Sequence, residues 1–400
     1  MLDLVFWISI PCPIQANVLR EIANLDDCKV TLICHQNIPD IRRKQTGWKL
    51  PDFGRVKWKV LPEISWKKRV DDILKAKNHS VHIFGALLRL HKFRYARRKA
   101  FKQGLKTGII TEIPVNQEEG VKRLAKTLYL KALNFLIPPI ARRTLFVLAI
   151  SSYEDLYYLE RLGWSKDRIY PFGYFVGPIT NNNASNDSFR LVGGLKNVEI
   201  VYSGSLLRKK RIDTLILALA LLRRKGVKFR CRIVGDGPYR AELQQLTDRL
   251  GLDNYVTFIG VRPNIEVRHM MDKADIVVLP GLLEPWGVPV NEAILSSSAV
   301  VVSSGIGARD LIKFSGAGHV FEAGNVDSLA KALSSLILRP GALEHAKVCA
   351  KAYAPRILPK VIAGYLRDVV LHATGKIDRK PRPPWFNKKL LNINSSGNRK

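Results

Sequence analysis

Short apolar segments alternate with segments of helical composition along most of this 400-residue chain. In the first half, the segments expected to be strands are LDLVFWISI, KVTLICH, VKWKVLP, SVHIFGAL, TGIITEI and LFVLAIS. Helix-forming stretches such as NVLREIANL, WKKRVDDILKAKN and HKFRYARRKAFKQG lie between them. Strands that alternate with helices form a parallel sheet with both faces covered. The pattern therefore predicts a doubly wound α/β domain.

A second α/β series follows a polar segment. Residues 178–197 are rich in Asn and Ser and have no apolar period, which is typical of a linker. The strands expected after it are VEIVYSGS, FRCRIVGDG, YVTFIG, DIVVLPG and AVVVSSG. We expect two doubly wound, Rossmann-like domains facing a central cleft, at residues 1–177 and 198–354. A terminal helix over 355–375 is expected to return toward the first domain, and 376–400 to be a flexible basic tail.

The charge is strongly positive, with 65 Lys and Arg against 34 Asp and Glu, and a net charge of +31. Such a surface attracts anions, and its sign alone fits nucleic acid, acidic lipids or phosphorylated small molecules. The sequence has no RNP-like strand, zinc-ligand spacing or helix-turn-helix pattern, so we expect no nucleic-acid partner. Five cysteines without a CxxC pair favour a reducing compartment. The N-terminal segment lacks a signal-peptide pattern, and no apolar run is long enough to span a bilayer.

The segment Glu284-Pro-Trp-Gly-Val-Pro-Val-Asn-Glu292 is the sharpest local signal. It follows the apolar strand DIVVLPG and opens a helix at about Gly287. Unpaired N–H groups at a helix N-terminus suit a sugar oxygen or a phosphate, and both carboxylates could accept hydrogen bonds from hydroxyls. A loop acid followed by a solvent-facing helix acid would explain the same residues without a ligand.

Two further segments follow predicted strands of the same domain. VYSGSLLRKKR places four consecutive cations, residues 208–211, at a helix start, where they could hold a diphosphate. IVGDGP has glycines that permit a tight turn beneath a nucleotide. Taken alone, the first could be a solvated basic turn and the second a common α/β turn. Together with the Glu284 segment they lie at successive strand ends, where doubly wound sheets bind ligands.

With these segments, residues 198–335 resemble the family 4 retaining glycosyltransferases of GT-B architecture. The resemblance rests on the Glu-x7-Glu element and on VYSGSLLRKK, CRIVGDGP, VTFIG, ADIVVLPGLLEPWG, SSGIGARDLI and GAGHVFEAGNVDSLAKAL. It implies that Glu284 contacts hydroxyls of the transferred sugar, Glu292 the ribose hydroxyls and Lys210 the diphosphate.

The chain departs from the family pattern at two positions of the basic turn. Ser205 stands where the family usually has Arg, so Arg208 or Lys209 would supply the missing charge, and Arg211 stands where it usually has Gly. We expect Glu284, Lys210 and Arg208 to be catalytic. The positions expected to contact the donor are Gly204, Ser205, Lys209, Gly235, Gly237, Val261, Arg262, Trp286, Gly287, Val288 and Glu292.

The acceptor side carries weaker signals. Pro11 and Cys12 lie in a loop after the first strand that resembles the acceptor-facing loop of the family. Glu112 lies next to Ile113, where the family often has His, and a charged strand edge would explain Glu112 equally well. His82, on an apolar strand, is interpreted as a core residue and not as a catalytic one.

The resemblance implies transfer of a sugar, with retention, from a nucleotide sugar to a lipid-linked or polysaccharide-precursor saccharide. No Asp-x-Asp motif is present, so we expect no metal or other cofactor. A GT-B nucleotide-sugar epimerase is the alternative enzyme. Segments 87–104 and 121–143 mix cations with Leu, Phe and Tyr, which suits docking on an anionic membrane, although both could be ordinary surface helices. We expect a cytoplasmic protein, peripheral on the inner face of the cell membrane.

Overall fold

The computed structural model describes residues 1–40, 49–85, 87–88, 90–113, 120–179 and 197–386. The chain divides into two compact units. Unit 1 comprises Met1–Val176 and Leu358–Pro384, and unit 2 comprises Gly177–Ile357 and Trp385–Lys400. Of the predicted linker, residues 180–196 lie outside the described residues.

Unit 1 contains a seven-stranded parallel sheet with the order β3-β2-β1-β4-β5-β6-β7. Its strands are β1 (Leu2–Ile8), β2 (Cys28–Cys34), β3 (Lys57–Val60), β4 (Val81–Gly85), β5 (Thr107–Glu112), β6 (Phe146–Ile150) and β7 (Ile169–Phe172). Its helices are α1 (Pro13–Ala23), α2 (Trp66–Ala76), α3 (His91–Lys102), α4 (Gly120–Leu136), α5 (Pro138–Arg143), α6 (Tyr157–Arg161) and α14 (Pro359–Ala373).

Both faces of this sheet are covered, as the continuous apolar character of β1 and β6 requires. Helices α2 to α6 contribute to one core cluster, which includes Val70, Phe93, Leu133 and Leu159. Helix α14 packs against α1. The chain therefore returns to unit 1 after completing the sheet of unit 2.

Unit 2 contains a six-stranded parallel sheet with the order β10-β9-β8-β11-β12-β13. Its strands are β8 (Val198–Ser203), β9 (Phe229–Val234), β10 (Val256–Gly260), β11 (Ile276–Leu279), β12 (Ala299–Ser303) and β13 (Gly318–Phe321). Its helices are α7 (Ile212–Arg224), α8 (Arg240–Arg249), α9 (Asn264–Asp272), α10 (Val288–Leu295), α11 (Arg309–Ser315), α12 (Val326–Ile337) and α13 (Ala342–Tyr353).

The strand order of unit 2 reverses between β8 and β11, which are neighbours in the sheet although about seventy residues separate them. A doubly wound sheet binds its ligand outside the carboxyl ends of the strands at such a reversal. The loops that follow β8 and β11 therefore meet at the expected binding edge.

The C-terminal tail is ordered further than its composition predicted. Lys380 Nζ donates hydrogen bonds to the carbonyl oxygens of Lys166 and Ile169, at 2.8 and 2.9 Å. Trp385 is buried, and its carbonyl oxygen accepts a hydrogen bond from Tyr353. The expectation of a flexible segment was wrong for 376–386, because an apolar ring and a paired ammonium anchor it. Residues 387–400 lie outside the described residues.

No helix in the described part of the chain is both long enough and apolar enough to cross a membrane.

Candidate functional site

The centre of the candidate site is an ion pair between the loops that follow β8 and β11. The Lys210 ammonium lies 2.7 Å from Oε1 of Glu284, and both side chains are 20% exposed. The backbone joins the two loops, because the Leu282 amide donates to the carbonyl oxygen of Lys209 at 3.0 Å. The structure thus brings together two residues that the sequence separates by 74 positions.

Backbone contacts fix the position of Glu284. Its amide donates to the carbonyl oxygen of Gly305, and its carbonyl oxygen accepts from Gly307, both at 2.9 Å. Because both of its backbone polar groups are paired, the loop holds the carboxylate in place. The Lys210–Glu284 pair is therefore positioned by contacts within the protein itself.

Gly287 opens helix α10, as the sequence predicted. Its φ is +102°, and an added Cβ would lie 2.6 Å from Cγ2 of Ile306. Both the conformation and the close approach exclude a side chain here. The helix begins at Val288, and its N-cap residue Gly287 provides no side-chain cap for the first N–H groups.

Trp286 anchors this loop to the helix. The ring is buried, and its Nε1 donates to Oδ1 of Asn291 at 2.9 Å. Its carbonyl oxygen accepts from the Ala308 amide at 2.8 Å. The side chain of Trp286 thus belongs to the core, while its backbone lies beside the site.

Glu292 is buried on α10, and its carboxylate accepts a hydrogen bond from Nδ2 of Asn264 at 2.9 Å. Burial raises the pKa of Glu292, and the Asn264 hydrogen bond and the nearby Arg268 oppose that rise. Asn264 and Arg268 were not singled out from the sequence. They lie four residues apart on α9, directly after the VTFIG strand, so they share one helix face.

Gly235 and Gly237, which follow β9, lie where there is no room for a side chain. An added Cβ on Gly235 would lie 2.0 Å from the carbonyl oxygen of Gly204, and one on Gly237 would lie 2.4 Å from that of Leu206. The loops after β8 and β9 therefore pack backbone against backbone. Ser205 lies in the same turn, where its carbonyl oxygen accepts from the Tyr202 hydroxyl at 3.1 Å.

Arg208 does not join the Lys210–Glu284 pair. Its Nη2 donates to Oε1 of Glu242 at 2.8 Å, and its guanidinium lies 4.7 Å from the ring centroid of Tyr239. Arg208 was expected to act beside the diphosphate because Ser205 stands where the family usually has Arg. The one-turn 3₁₀ helix Arg208–Lys210 instead directs these two side chains to different partners.

Arg211 adopts the left-handed conformation at the N-cap of α7, with φ of +51°. Glycine adopts the left-handed conformation without steric cost, which agrees with the Gly that the family resemblance places at this position. The strained arginine is held by Asp213, whose Oδ2 lies 3.0 Å from Nη2.

The last two expected donor contacts follow β10. Val261 is 43% exposed, and Nε of Arg262 lies 3.9 Å from Oε2 of Glu266. Both positions are accessible, as contact through the backbone would require.

The acceptor-side candidates all lie in unit 1. Glu112, at the end of β5, accepts a hydrogen bond from the Tyr174 hydroxyl at 2.8 Å. Burial raises the pKa of Tyr174, and the Glu112 carboxylate raises it further. Cys12 is the N-cap residue of α1, and Pro11 before it is buried. The sequence had not indicated Tyr174, because it follows a strand that was also not predicted.

His82 is a satisfied core residue, as interpreted from the sequence. It is fully buried, Nδ1 accepts from Trp7 Nε1 at 3.2 Å, and Nε2 lies 3.0 Å from the carbonyl oxygen of Lys77. Burial lowers its pKa to about 4. The neutral ring, with Nε2 as the donor, fits both contacts.

Comparison with known families identifies the part of the chain that carries this site. A family model described as glycosyl transferases group 1 matches residues 186–354. Residues 186–354 are therefore similar to this family. Among curated relatives, the chain is 31% identical over 144 residues to the putative colanic acid biosynthesis glycosyltransferase WcaL of Escherichia coli. It is 34% identical over 146 residues to an uncharacterized glycosyltransferase of Methanocaldococcus jannaschii.

These alignments cover 34% and 36% of this chain, and 36% and 37% of the two relatives. The matched region thus spans about a third of the length of either relative.

Solved structures extend the likeness to both units at the level of the fold. HepE of Anabaena, in complex with UDP, has a TM-score of 0.68 at 17% identity, covering 92% of this chain and 99% of HepE. WaaG, a glycosyltransferase involved in lipopolysaccharide biosynthesis, has a TM-score of 0.58 at 16% identity, covering 90% and 98%. The chain therefore has the GT-B fold that its sequence predicted.

Proposed function

We propose that this protein is a retaining glycosyltransferase that moves a sugar from a nucleotide sugar to a saccharide acceptor carried on a lipid or a polysaccharide precursor. The observation that carries the proposal is the Lys210–Glu284 pair at the strand-order reversal of unit 2, with its 2.7 Å separation. It supplies a cation for a diphosphate and an acceptor for sugar hydroxyls within one hydrogen-bond length.

Glycosyl transfer develops positive character at the anomeric carbon and negative charge on the leaving group. Lys210 and the first N–H groups of α10 would stabilise the leaving diphosphate, so the proposed reaction needs no metal. Glu284 would accept hydrogen bonds from the transferred sugar, and buried Glu292 from the ribose. The acceptor hydroxyl would attack from the side the diphosphate leaves and pass its proton to a phosphate oxygen, which retains the anomeric configuration.

The donor and acceptor classes are supported by similar proteins. HepE has been solved with UDP-glucose bound, at 16% identity to this chain. A Mycobacterium tuberculosis relative, 29% identical over 146 residues, is named a GDP-mannose-dependent phosphatidylinositol monomannoside mannosyltransferase. We propose Glu112 of unit 1 as an acceptor contact and the cytoplasmic face of the cell membrane as the place of action.

The test incubates the purified protein with a panel of nucleotide sugars, with and without membrane lipid extract and with and without EDTA. Nucleotide release that needs the extract and resists EDTA supports the proposal, and NMR of the product linkage checks retention. Conversion of a sugar without extract would indicate the epimerase, and no reaction with any nucleotide sugar would contradict the enzyme assignment.

A further inference from the structure

Helix α4 has an apolar face that no described residue covers. Leu124, Leu128 and Phe135 are 68%, 67% and 81% exposed. At about 100° per residue, their side chains fall within about 40° of one another around the helix axis. We call these three residues the α4 stripe. The opposite side of the helix buries Leu133 in the core of unit 1.

Exposing the apolar side chains of the α4 stripe to water costs free energy. A single exposed leucine is common on protein surfaces and would need no explanation. Three large apolar side chains exposed along one side of a helix are a grouped feature, and grouped exposed apolar side chains mark an interaction surface. Helix α4 thus has apolar side chains on two opposite sides, one packed on the core of unit 1 and one exposed.

Helix α3 carries exposed cations. Its Arg94, Arg98 and Lys102 are exposed at spacings of four residues, which places them on one outward ridge. We call them the α3 ridge. Both helices pack on the same core cluster, and Arg143, at the end of α5, lies 5.9 Å from the ring centroid of Phe101 in α3.

Helix α4 carries a cation of its own in line with the stripe. Lys131 is exposed on the same side of the helix, between the positions of Leu128 and Phe135. Long lysine stems can lie along apolar surface while their charge stays in water. An exposed apolar stripe with a lysine in line with it is a pattern found in helices that lie in the plane of a membrane interface.

We propose that the α4 stripe inserts into an anionic lipid surface and that the α3 ridge supplies the electrostatic attraction to it. A second copy of the chain fits the surface less well, since it would bring the same cations against one another. An acidic bilayer offers hydrocarbon for the stripe and negative headgroups for the ridge. The inference deepens the proposed function, since a lipid-linked acceptor would be reached at this surface, and its test needs no transfer assay.

The experiment measures co-sedimentation of the full chain with vesicles of equal parts phosphatidylglycerol and phosphatidylcholine, and with vesicles of phosphatidylcholine alone. We expect binding to the anionic vesicles that weakens as salt is raised. The variant Leu124→Ser/Leu128→Ser/Phe135→Ser should reduce the partition coefficient about 100-fold or more, because three inserted side chains are lost. Its fold is protected because all three positions are exposed, and circular dichroism checks this.

Two matched controls isolate the surface. Leu338→Ser/Val348→Ser removes apolar side chains that are 55% and 56% exposed in unit 2, and it should bind vesicles as the wild type does. For charge, Arg94→Gln/Arg98→Gln/Lys102→Gln should weaken binding at least about tenfold more than a variant that removes three exposed cations of unit 2. That control variant is Arg224→Gln/Lys225→Gln/Lys228→Gln.

Wild-type binding by the stripe variant, or equal losses in the two charge variants, would overturn the proposal. So would a wild-type dimer in sedimentation velocity that becomes monomeric in the stripe variant, because the stripe would then be a self-association surface. If vesicle binding follows the proposal while no nucleotide sugar is turned over, the proposed function fails and the docking surface stands.

Discussion

The decisive perturbation is Lys210→Met, because the chain contains a closely matched control. Lys210 meets Glu284 after the carboxyl end of β11, and Lys347 meets Asp275 directly before the amino end of the same strand. The second pair has an N–O distance of 3.1 Å, with side chains 28% and 9% exposed. The two lysines therefore form ion pairs of similar length and burial but lie at opposite ends of β11.

The expected magnitudes separate structure from catalysis. Each substitution leaves a largely buried carboxylate without its ammonium partner, which should cost about 1–3 kcal/mol of unfolding free energy. Only Lys210→Met should also remove a charge that stabilises the leaving diphosphate, a loss of about 3–4 kcal/mol in the barrier. That corresponds to about a 100- to 1000-fold fall in kcat/KM, whereas Lys347→Met should stay within about twofold.

The assay combines urea denaturation with initial rates of nucleotide release from the donor identified by the panel. Glu284→Gln is measured beside the two lysine variants, and it should also lose at least about 100-fold in kcat/KM while remaining folded. The reasoning would be refuted if Lys210→Met and Lys347→Met lost stability and activity to the same extent, because the pair would then be structural at both ends of β11.

Three further outcomes are expected. Gly235→Ala should lower the unfolding free energy by more than about 3 kcal/mol, because its Cβ would overlap the Gly204 carbonyl, whereas Gly226→Ala, with open space around it, should cost about 1 kcal/mol in the same denaturant titration. Burial holds the pKa of His82 in the folded protein at about 4, against its usual 6.5. Up to about 3 kcal/mol of unfolding free energy should therefore be present above pH 6.5 and be lost as the pH falls from 6.5 toward 4. In denaturation at several pH values, His82→Gln should abolish that part of the pH dependence. Because the pKa of Glu292 is raised, donor affinity measured by calorimetry should fall as acid protonates this carboxylate, and a Glu292→Gln variant that retained the same pH profile would exclude it as the titrating group.

The strands that the sequence did not predict share a physical cause. Both β7 and β13 have four residues and lie at a sheet edge, where one partner strand is enough. Proline at 171 in β7 and glycine at 318 in β13 weaken the apolar pattern that marks a central strand. Central strands such as β1 and β12 are buried along nearly their whole length, so their apolar composition predicts them from the sequence.

The site shows the same division. Lys210 and Glu284 were predictable because each follows a buried strand, and the carboxyl ends of parallel strands share one edge. The spacing of the adjacent cations did not show which of them lies at that edge. A single turn of 3₁₀ helix directs Arg208 to Glu242 and Lys210 to Glu284. Tyr174 and Asn264 were missed because their partners lie 62 and 28 residues away, and no local pattern encodes such pairs.

The main-chain hydrogen bond from Leu282 to the Lys209 carbonyl has a consequence for divergence within the fold. The contact uses no side-chain atom, so other side chains at these two positions could keep the backbone link between the two loops. The side chains beside the Lys210–Glu284 pair can therefore vary while the connection that brings its two loops together is retained.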